Sequence, residues 1–323
     1  SLEGYSDPPL SATVVSAIQT LIDMAVDPQL TFAQPSRVAI VTYEDARRVI
    51  PMSSGPQDLW INSFDVEAYL HYLRHMQHTI DSNIHIHPSY TCFHLYHYGW
   101  RSQKLAEQAF QLASQQNQLN IMTTRFMSII VVNLYNDHWY ILIIYPAFKR
   151  IDILNWLPTS SATVRMLSRL MHAYLRAHDM IDPDFTFTPE EWSICVISIN
   201  RVPRQLNGYD CGTFTLRAIE YLVAGHALTF TQSTMRDFRS KIVLVFRLKD
   251  IPWIRDPTAL LDDAAIITSI SSELAATLAE NDQYVLPEDE QEYFKYDEEA
   301  QAELKKKAVI DLIEEIEGDE LLY

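Results

Sequence analysis

Apolar residues recur with the period of an α-helix in six segments of this chain. Spacings of three and four residues predict helices near residues 11–26, 63–80, 102–117, 159–178, 212–224 and 231–248. Ser63, Ser102 and Thr159 lie at the starts of three of these segments, and short hydroxyl side chains commonly cap a helix N-terminus. We therefore expect these three helices to begin at or just after those residues.

Four other segments have the apolar, β-branched composition of buried strands. They lie near residues 127–134, 138–145, 149–155 and 193–200. A short polar segment, Tyr135-Asn-Asp137, joins the first two and predicts a hairpin. Many helices with only a few strands predict an α+β fold, in which helices flank a small central mixed sheet.

Composition excludes several classes of protein. The chain has 323 residues, of which 48% are hydrophobic, and this is enough for one large core. Its formal net charge is −17, and most of it comes from residues 276–323, where sixteen acids accompany four lysines. Nucleic-acid binding would require a basic stripe, so it is not expected. No apolar run approaches the length of about twenty residues that spans a bilayer, so no membrane anchor is expected.

The three cysteines suit neither a disulfide framework nor a zinc site, since none of them pairs in a Cys-x-x-Cys spacing. Cys92 and Cys195 are expected to be buried small hydrophobes. Seven histidines between His71 and His97 include His85 and His87, but no cysteine or carboxylate completes a recognised ligand set. The sequence thus predicts no metal and no cofactor.

One cysteine has a different setting. The run Gln205-Leu-Asn-Gly-Tyr-Asp-Cys211-Gly212 stands directly before the helix predicted at 212–224. Unpaired backbone N–H groups and the helix dipole lower the pKa of a thiol at such a position. A thiolate nucleophile also needs a base, and histidine is the usual one. Cys211 is therefore a candidate catalytic nucleophile.

His138 is the best placed of the eleven histidines to serve as the base, because it opens the strand predicted at 138–145. A third polar group is expected to orient the imidazole, and both Asp152 and Asn155 follow in the next predicted strand. They lie three residues apart, so a pleated strand points them to opposite faces. Only one of them can serve.

This order of residues resembles that of the ubiquitin-like-protein-specific cysteine proteases, also called sentrin- or SUMO-specific proteases, which are related to adenain and papain. In that family an acid follows a His-Trp pair, and a Gln precedes the Cys. His138 and Asn155 keep the family's spacing of seventeen residues, and Gln205 and Cys211 keep its spacing of six. The family normally has Asp where this chain has Asn155. An amide can orient an imidazole, so we expect Asn155 in this role and keep Asp152 in reserve.

The resemblance implies further site residues. Gln205 would stabilise the oxyanion together with backbone N–H groups near the nucleophile. Trp60 and Trp139 would form the walls of a narrow slot that admits a Gly-Gly tail, because only glycine lets two indoles approach a backbone so closely. The residues implied to bind substrate are Trp60, Asn62, Ser63, Trp139 and Gly212. Ser63 stands where the family often has a second acid.

A second motif lies near the end of the chain. A short Val/Ile-rich segment followed by acids resembles a SUMO-interacting motif, which binds by adding a strand to the edge of the SUMO sheet. Its residues are Val309, Ile310, Asp311, Leu312 and Ile313. Residues 309, 312, 313 and 316 also share one face of a helix, and the pattern alone favours neither interpretation.

These features predict four regions. They are an N-terminal helical extension at 1–39, a catalytic domain at 40–250, a C-terminal helical extension at 251–286, and an acidic tail at 287–323. The resemblance implies a monomeric thiol isopeptidase and endopeptidase that cleaves after the terminal Gly-Gly of a ubiquitin-like modifier, with SUMO favoured. It also implies an intracellular location, in the nucleus or cytoplasm, or in the host cytosol for an enzyme that bacteria deliver. The alternatives are a deubiquitinase or deneddylase of the same fold, and a catalytically weak SUMO-binding scaffold.

Overall fold

The computed structural model describes residues 9–23, 28–36, 39–50, 59–80, 83–91, 121–134, 137–255, 263 and 266–268. The helices of this part are α1 (Ala12–Asp23), α2 (Tyr43–Val49), α3 (Ser63–Ile80), α4 (Ile121–Thr124), α5 (Ser161–Ile181), α6 (Cys211–Val223), α7 (Met235–Leu248) and α8 (Pro252–Arg255). The strands are β1 (Thr31–Ser36), β2 (Ala39–Thr42), β3 (Ile84–Ile86), β4 (Met127–Leu134), β5 (His138–Tyr145), β6 (Arg150–Leu154) and β7 (Ser193–Val196).

A mixed sheet with the strand order β3-β4-β5-β6-β7 forms the centre. The two outer pairs, β3 with β4 and β6 with β7, are parallel, whereas β5 is antiparallel to both of its neighbours. Leu134 pairs with His138 at the closed end of the β4–β5 hairpin. This arrangement of helices around a small mixed sheet confirms the predicted α+β class.

The sheet separates two hydrophobic clusters, and the residues of β5 alternate between them. Trp139, Ile141 and Ile143 belong to the larger cluster, which contains residues of α1, α2, α3, α6 and α7. Tyr140, Leu142 and Ile144 belong to the smaller cluster, which contains residues of α5. Because β5 is covered on both faces, its sequence is a nearly continuous apolar run. The site described below lies where this strand begins.

The N-terminal segment is part of the larger cluster. Strands β1 and β2 pair with each other, and the boundary expected after residue 39 falls at the first residue of β2, within this pair of strands. Val14 and Ile18 of α1 are buried in the same cluster as α7, and the backbone N–H of Leu10 donates to Oδ1 of Asp237 at 2.8 Å. Residues 12–36 therefore share a core with the region predicted to be catalytic.

The predicted helices differ from the observed ones mainly at their ends. Helix α5 begins at Ser161 because the side chain of Ser160, and not that of Thr159, accepts a hydrogen bond from the backbone N–H of Thr163. Ser63 is the first residue of α3 and does not cap it, since Asn62 and Asp65 exchange side chain to backbone hydrogen bonds. Strand β7 ends at Val196, before the 3₁₀ turn Ile199–Arg201. The helix predicted at 102–117 lies outside the described residues.

Among the helices that the structure describes, none is long and apolar enough to cross a membrane.

Candidate active site

Cys211 is the first residue of α6 and is buried. Burial raises the pKa of its thiol, and the neighbouring carboxylate of Asp210 raises it further. Backbone N–H groups of Trp139, Gly212 and Cys211 itself oppose this effect and lower the pKa, as expected at a helix start. Burial outweighs them, so the pKa of the thiol lies above its ordinary value and the expectation of a lowered pKa is wrong for this state of the protein.

The packing of Trp139 against Gly212 shows how β5 meets α6. His138 is the first residue of β5 and Trp139 is the second, and Cδ1 of Trp139 lies 3.1 Å from the position of a Cβ built on Gly212, the residue after Cys211. The start of the strand therefore lies beside the start of the helix. Burial lowers the pKa of His138, while Asn155 and Asp137 act to raise it, and the net effect is a lowered pKa. The imidazole is thus neutral at neutral pH, which is the form that can accept a proton.

Asn155 directly follows β6 and contacts His138. Its Oδ1 lies 2.6 Å from Nε2 of the imidazole, and because a carbonyl oxygen only accepts, Nε2 must donate. The same oxygen accepts from the backbone N–H groups of Trp156 at 2.8 Å and Leu157 at 3.3 Å. Nδ2 donates to Oγ1 of Thr159 at 2.8 Å. With the proton on Nε2, Nδ1 of His138 is the nitrogen that can act as a base.

Asp152, the reserve candidate, lies elsewhere. It is in the middle of β6, opposite Ile143, and both of its carboxylate oxygens accept hydrogen bonds from Arg150, at 2.6 and 3.1 Å. The structure brings Asn155 to the imidazole and leaves Asp152 in an ion pair with Arg150.

Gln205 is buried at the start of the loop that leads to Cys211. Its backbone N–H donates to the carbonyl of Trp156 at 3.1 Å, which ties this loop to the segment of Asn155. Its Nε2 donates to the carbonyl of Asn207 at 2.6 Å. A primary amide nitrogen carries two hydrogens, so this bond uses only one of them. A role of Gln205 in stabilising an oxyanion stays a prediction.

A network of side-chain hydrogen bonds that was not predicted holds this loop. Asp210 accepts from Arg239 at 2.6 Å, from Asn207 at 2.6 Å and from Gln232 at 2.5 Å. Arg239 is 1% exposed and also donates to backbone carbonyls of three other segments. These carbonyls belong to Val49, Leu59, Tyr209 and, at 3.2 Å, Arg48. The sequence carries one signal for this role, because Arg239 shares the apolar face of its predicted helix with Met235 and Ile242.

The two tryptophans predicted to form the walls of a substrate slot differ in exposure. Trp139 is buried and packs against Gly212, whereas Trp60 is 36% exposed. A Cβ atom at Gly212 would lie 2.5 Å from Cγ1 of Ile61 and 3.1 Å from Cδ1 of Trp139, so only glycine fits there. A slot with Trp60 and Trp139 as its two walls stays a prediction.

Asn62 and Ser63 were also predicted to contact substrate. The amide of Asn62 caps α3, because Oδ1 accepts from the backbone N–H of Asp65 at 2.9 Å. Its Nδ2 donates to Oδ1 of Asp45 at 2.6 Å. Ser63 is exposed at the first position of α3. The structure therefore gives Asn62 a structural role, while a role in substrate binding stays a prediction for both residues.

The buried histidines lie on the side of the sheet opposite to Cys211. Nε2 of His87 is hydrogen-bonded to the hydroxyls of Ser128 and Tyr174, and the ring centroid of His87 is 4.4 Å from that of His85. Burial lowers the pKa of His87 well below its ordinary value and lowers that of His178 to about 3. Among the described residues, no group of three or more His, Cys, Asp or Glu is arranged to hold a metal ion.

Two remaining predictions concern the other cysteines and the tail. Cys195 is partly exposed on β7 and not fully buried as expected. Cys92 and the motif formed by Val309, Ile310, Asp311, Leu312 and Ile313 lie outside the described residues.

Comparisons with known proteins find a family model and several relatives that resemble this chain. The sequence model of the Ulp1 protease family, C-terminal catalytic domain, matches residues 59–248. Sentrin-specific protease 2 from Homo sapiens and from Pongo abelii are each 28% identical over 106 residues, which is 33% of this chain but only 18% of either relative.

Solved structures show the same fold. The C-terminal Ulp1 protease domain in complex with Smt3, the yeast ortholog of SUMO, is 18% identical with a TM-score of 0.57, and the match covers 74% of this chain and 96% of that domain. The catalytic domain of the Ulp1-like SUMO protease from Chaetomium thermophilum is also 18% identical, with a TM-score of 0.53, covering 74% of this chain and 90% of that one.

Proposed function

This chain belongs to the Ulp1 protease family, a family of cysteine proteases, and from this premise we propose that it cleaves after the terminal Gly-Gly of a ubiquitin-like modifier. SUMO is the favoured modifier. The names of the similar proteins support this choice, since they include a sentrin-specific protease and a Ulp1 domain bound to an ortholog of SUMO. The reaction would mature SUMO precursors and release SUMO from lysine side chains.

The observation that carries the proposal is the contact between His138 and Asn155 beside a buried cysteine. Nε2 of His138 donates to Asn155, and Trp139, the residue after His138, packs against Gly212, the residue after Cys211. These contacts support a site with a nucleophile, a base and a group that orients the base, as nucleophilic catalysis requires.

In the proposed reaction, Nδ1 of His138 accepts the thiol proton of Cys211 as the sulfur attacks the carbonyl carbon of the terminal glycine. The negative charge moves to the carbonyl oxygen, which the second Nε2 hydrogen of Gln205 and a backbone N–H near Cys211 stabilise. The C–N bond then breaks and the leaving amine takes the proton from Nδ1. Water, deprotonated by His138, hydrolyses the thioester and frees the modifier.

The raised pKa of Cys211 and the lowered pKa of His138 indicate that the pair rests as a neutral thiol and a neutral imidazole. Asn155 cannot stabilise an imidazolium with a negative charge, which is consistent with that resting state. The proton is therefore transferred when substrate arrives. The same two pKa shifts are also consistent with a second candidate function, that of a catalytically weak protein that binds SUMO.

Cleavage assays test the proposal. Full-length protein is incubated with a SUMO precursor and with a SUMO–lysine conjugate, and the products are separated by size. We expect both substrates to be cut after Gly-Gly, and the Cys211→Ala variant to leave them intact. Binding of SUMO without cleavage of either substrate would reject the protease and support the scaffold.

The tail motif at residues 309–313 is a separate part of the proposal. If it binds SUMO, it raises the local concentration of SUMO chains near the site without any new contact there. Deletion of residues 301–323 would then slow cleavage of poly-SUMO chains more than cleavage of a single SUMO. Equal rates with and without the tail would contradict this role.

A further inference from the structure

An amide in the orienting position can face its histidine in two ways, whereas a carboxylate cannot. The two oxygens of a carboxylate both accept hydrogen bonds, but the amide of Asn155 has one accepting end and one donating end. Only the orientation with Oδ1 toward His138 keeps the proton on Nε2 and leaves Nδ1 to act as a base. The chain must therefore fix the orientation of this side chain.

Two backbone N–H groups set the orientation of Asn155 seen in the structure, and Thr159 anchors the far end of its amide. A hydroxyl can both donate and accept, so Thr159 does not select the orientation by itself. The backbone N–H groups of Trp156 and Leu157 donate to Oδ1, and so they would repel the amide nitrogen if the group turned over. At the other end, Oγ1 of Thr159 accepts from Nδ2 at 2.8 Å. Asn155 is 4% exposed, so without this hydroxyl its Nδ2 would be a buried donor that water reaches poorly.

We propose that Thr159 is a positioning residue for catalysis, which acts by anchoring the amide of Asn155 so that its oxygen stays at hydrogen-bond distance from His138. This inference rests on the proposed protease function. Ser160, and not Thr159, caps α5, so the cap does not use the hydroxyl of Thr159. The proposed site thus extends from Cys211 through His138 and Asn155 to Thr159.

The adjacent hydroxyl provides a matched control. Ser160 accepts from the backbone N–H of Thr163 at 3.1 Å and so stabilises the start of α5, but it makes no hydrogen bond to Asn155. Substitution of Ser160 by Ala disturbs the helix, whereas substitution of Thr159 by Val removes the acceptor and keeps the shape. The two variants therefore separate loss of local structure from loss of orientation.

The first measurement reads the tautomer of His138 directly and needs no activity. In ¹⁵N spectra of the full chain, we expect His138 to be protonated on Nε2 in the wild type and in the Ser160→Ala variant. In the Thr159→Val variant we expect a mixture of the Nε2-H and Nδ1-H forms, and in Thr159→Ser a return to Nε2-H. An unchanged tautomer in Thr159→Val would overturn the inference.

The second measurement follows the rate at which Cys211 reacts with a SUMO probe activated at its C-terminus. We expect Thr159→Val to slow the reaction by about ten-fold, since a buried amide hydrogen loses its acceptor. Thr159→Ser and Ser160→Ala should stay within about two-fold of the wild type, as local changes outside the hydrogen-bond chain. Equal losses in Thr159→Val and Ser160→Ala would reduce Thr159 to a structural residue.

The two proposals fail in different ways. If the wild type does not react with the probe, the protease function fails, while the tautomer of His138 still tests the role of Thr159. If the wild type reacts and Thr159→Val reacts equally fast with the same tautomer, the protease function stands and the positioning role is rejected.

Discussion

Oδ1 of Asn155 lies 2.6 Å from Nε2 of His138, and the orientation of this amide is set by its other hydrogen bonds. The proposed base therefore depends on a neutral group, where the related proteases are expected to have a carboxylate. This difference affects the charge that the imidazole can bear during the reaction, and it can be tested by exchange of single residues.

Asn155→Asp is expected to accelerate the reaction with the probe. A carboxylate next to His138 would stabilise the imidazolium and raise the pKa of this histidine. The acidic limb of the pH–rate profile should move to higher pH accordingly. Asn155→Ala should instead slow the reaction by about 100-fold, because nothing would orient the ring.

Asp152→Asn is the control for this exchange, because it breaks the ion pair with Arg150 and leaves His138 untouched. We expect its rate to stay close to that of the wild type. A large loss in Asp152→Asn together with no change in Asn155→Asp would move the orienting role to Asp152.

Gly212→Ala is expected to impair both the fold near the site and the reaction. The new Cβ would lie 2.5 Å from Cγ1 and 2.7 Å from Cδ1 of Ile61, so α6 or Ile61 must shift. Such overpacking costs about 1–3 kcal/mol of unfolding free energy. Gly208→Ala in the same loop is the matched control, because a Cβ there has no atom within 4 Å. Urea unfolding that gave equal stability for both variants would contradict the close contact with Ile61.

Arg239→Met is expected to lower the unfolding free energy by about 3–5 kcal/mol, because Asp210 would keep a buried charge without its partner. The carbonyls of Val49, Leu59 and Tyr209 would lose a donor as well. Arg150→Met removes an exposed ion pair that solvent screens, so it should shift the urea midpoint much less than Arg239→Met does. Similar urea midpoints for the two variants would show that Arg239 does not hold the loop between Gln205 and Cys211.

Stability should fall as the pH decreases below about 6.5, the ordinary pKa of histidine. His178 has a pKa of about 3 in the folded protein, so the unfolded chain binds more protons between these two values. In this pH range, His178 lowers the unfolding free energy by up to about 1.4 kcal/mol for each unit that the pH decreases. We expect the unfolding free energy of His178→Gln to change less between pH 7 and 5.5 than that of the wild type. Parallel curves for the two proteins would contradict the shift.

The sequence predicted the elements that depend on local pattern. Strands β4 and β5 were predicted at their observed bounds, because uninterrupted β-branched runs are bounded there by polar residues. The β1–β2 hairpin was missed, since Pro35 and its polar neighbours hide a strand whose pairing depends on tertiary contacts. The start of α5 was placed two residues early, because two adjacent residues, Thr159 and Ser160, can both cap a helix.

The spacing of residues led to a proposed site, whereas burial could not be judged from the sequence. Cys211, His138, Asn155 and Gln205 were chosen from their order along the chain; the structure brings Asn155 to His138, and the catalytic roles of all four stay predictions. The raised pKa of Cys211 could not, because the helix start is visible in the sequence but the degree of burial is not. The contacts of Thr159 and Arg239 depend on side chains that only the folded chain brings together.

The most direct test of the protease is the formation of a covalent adduct. The full chain and its Cys211→Ala variant are incubated with C-terminally activated probes of SUMO, ubiquitin and the Nedd modifier, and adducts are detected by mass. We predict an adduct of the wild type with the SUMO probe, at a faster rate than with the other two, and none with the variant. The absence of an adduct with all three probes would contradict the account and favour a protein that only binds SUMO.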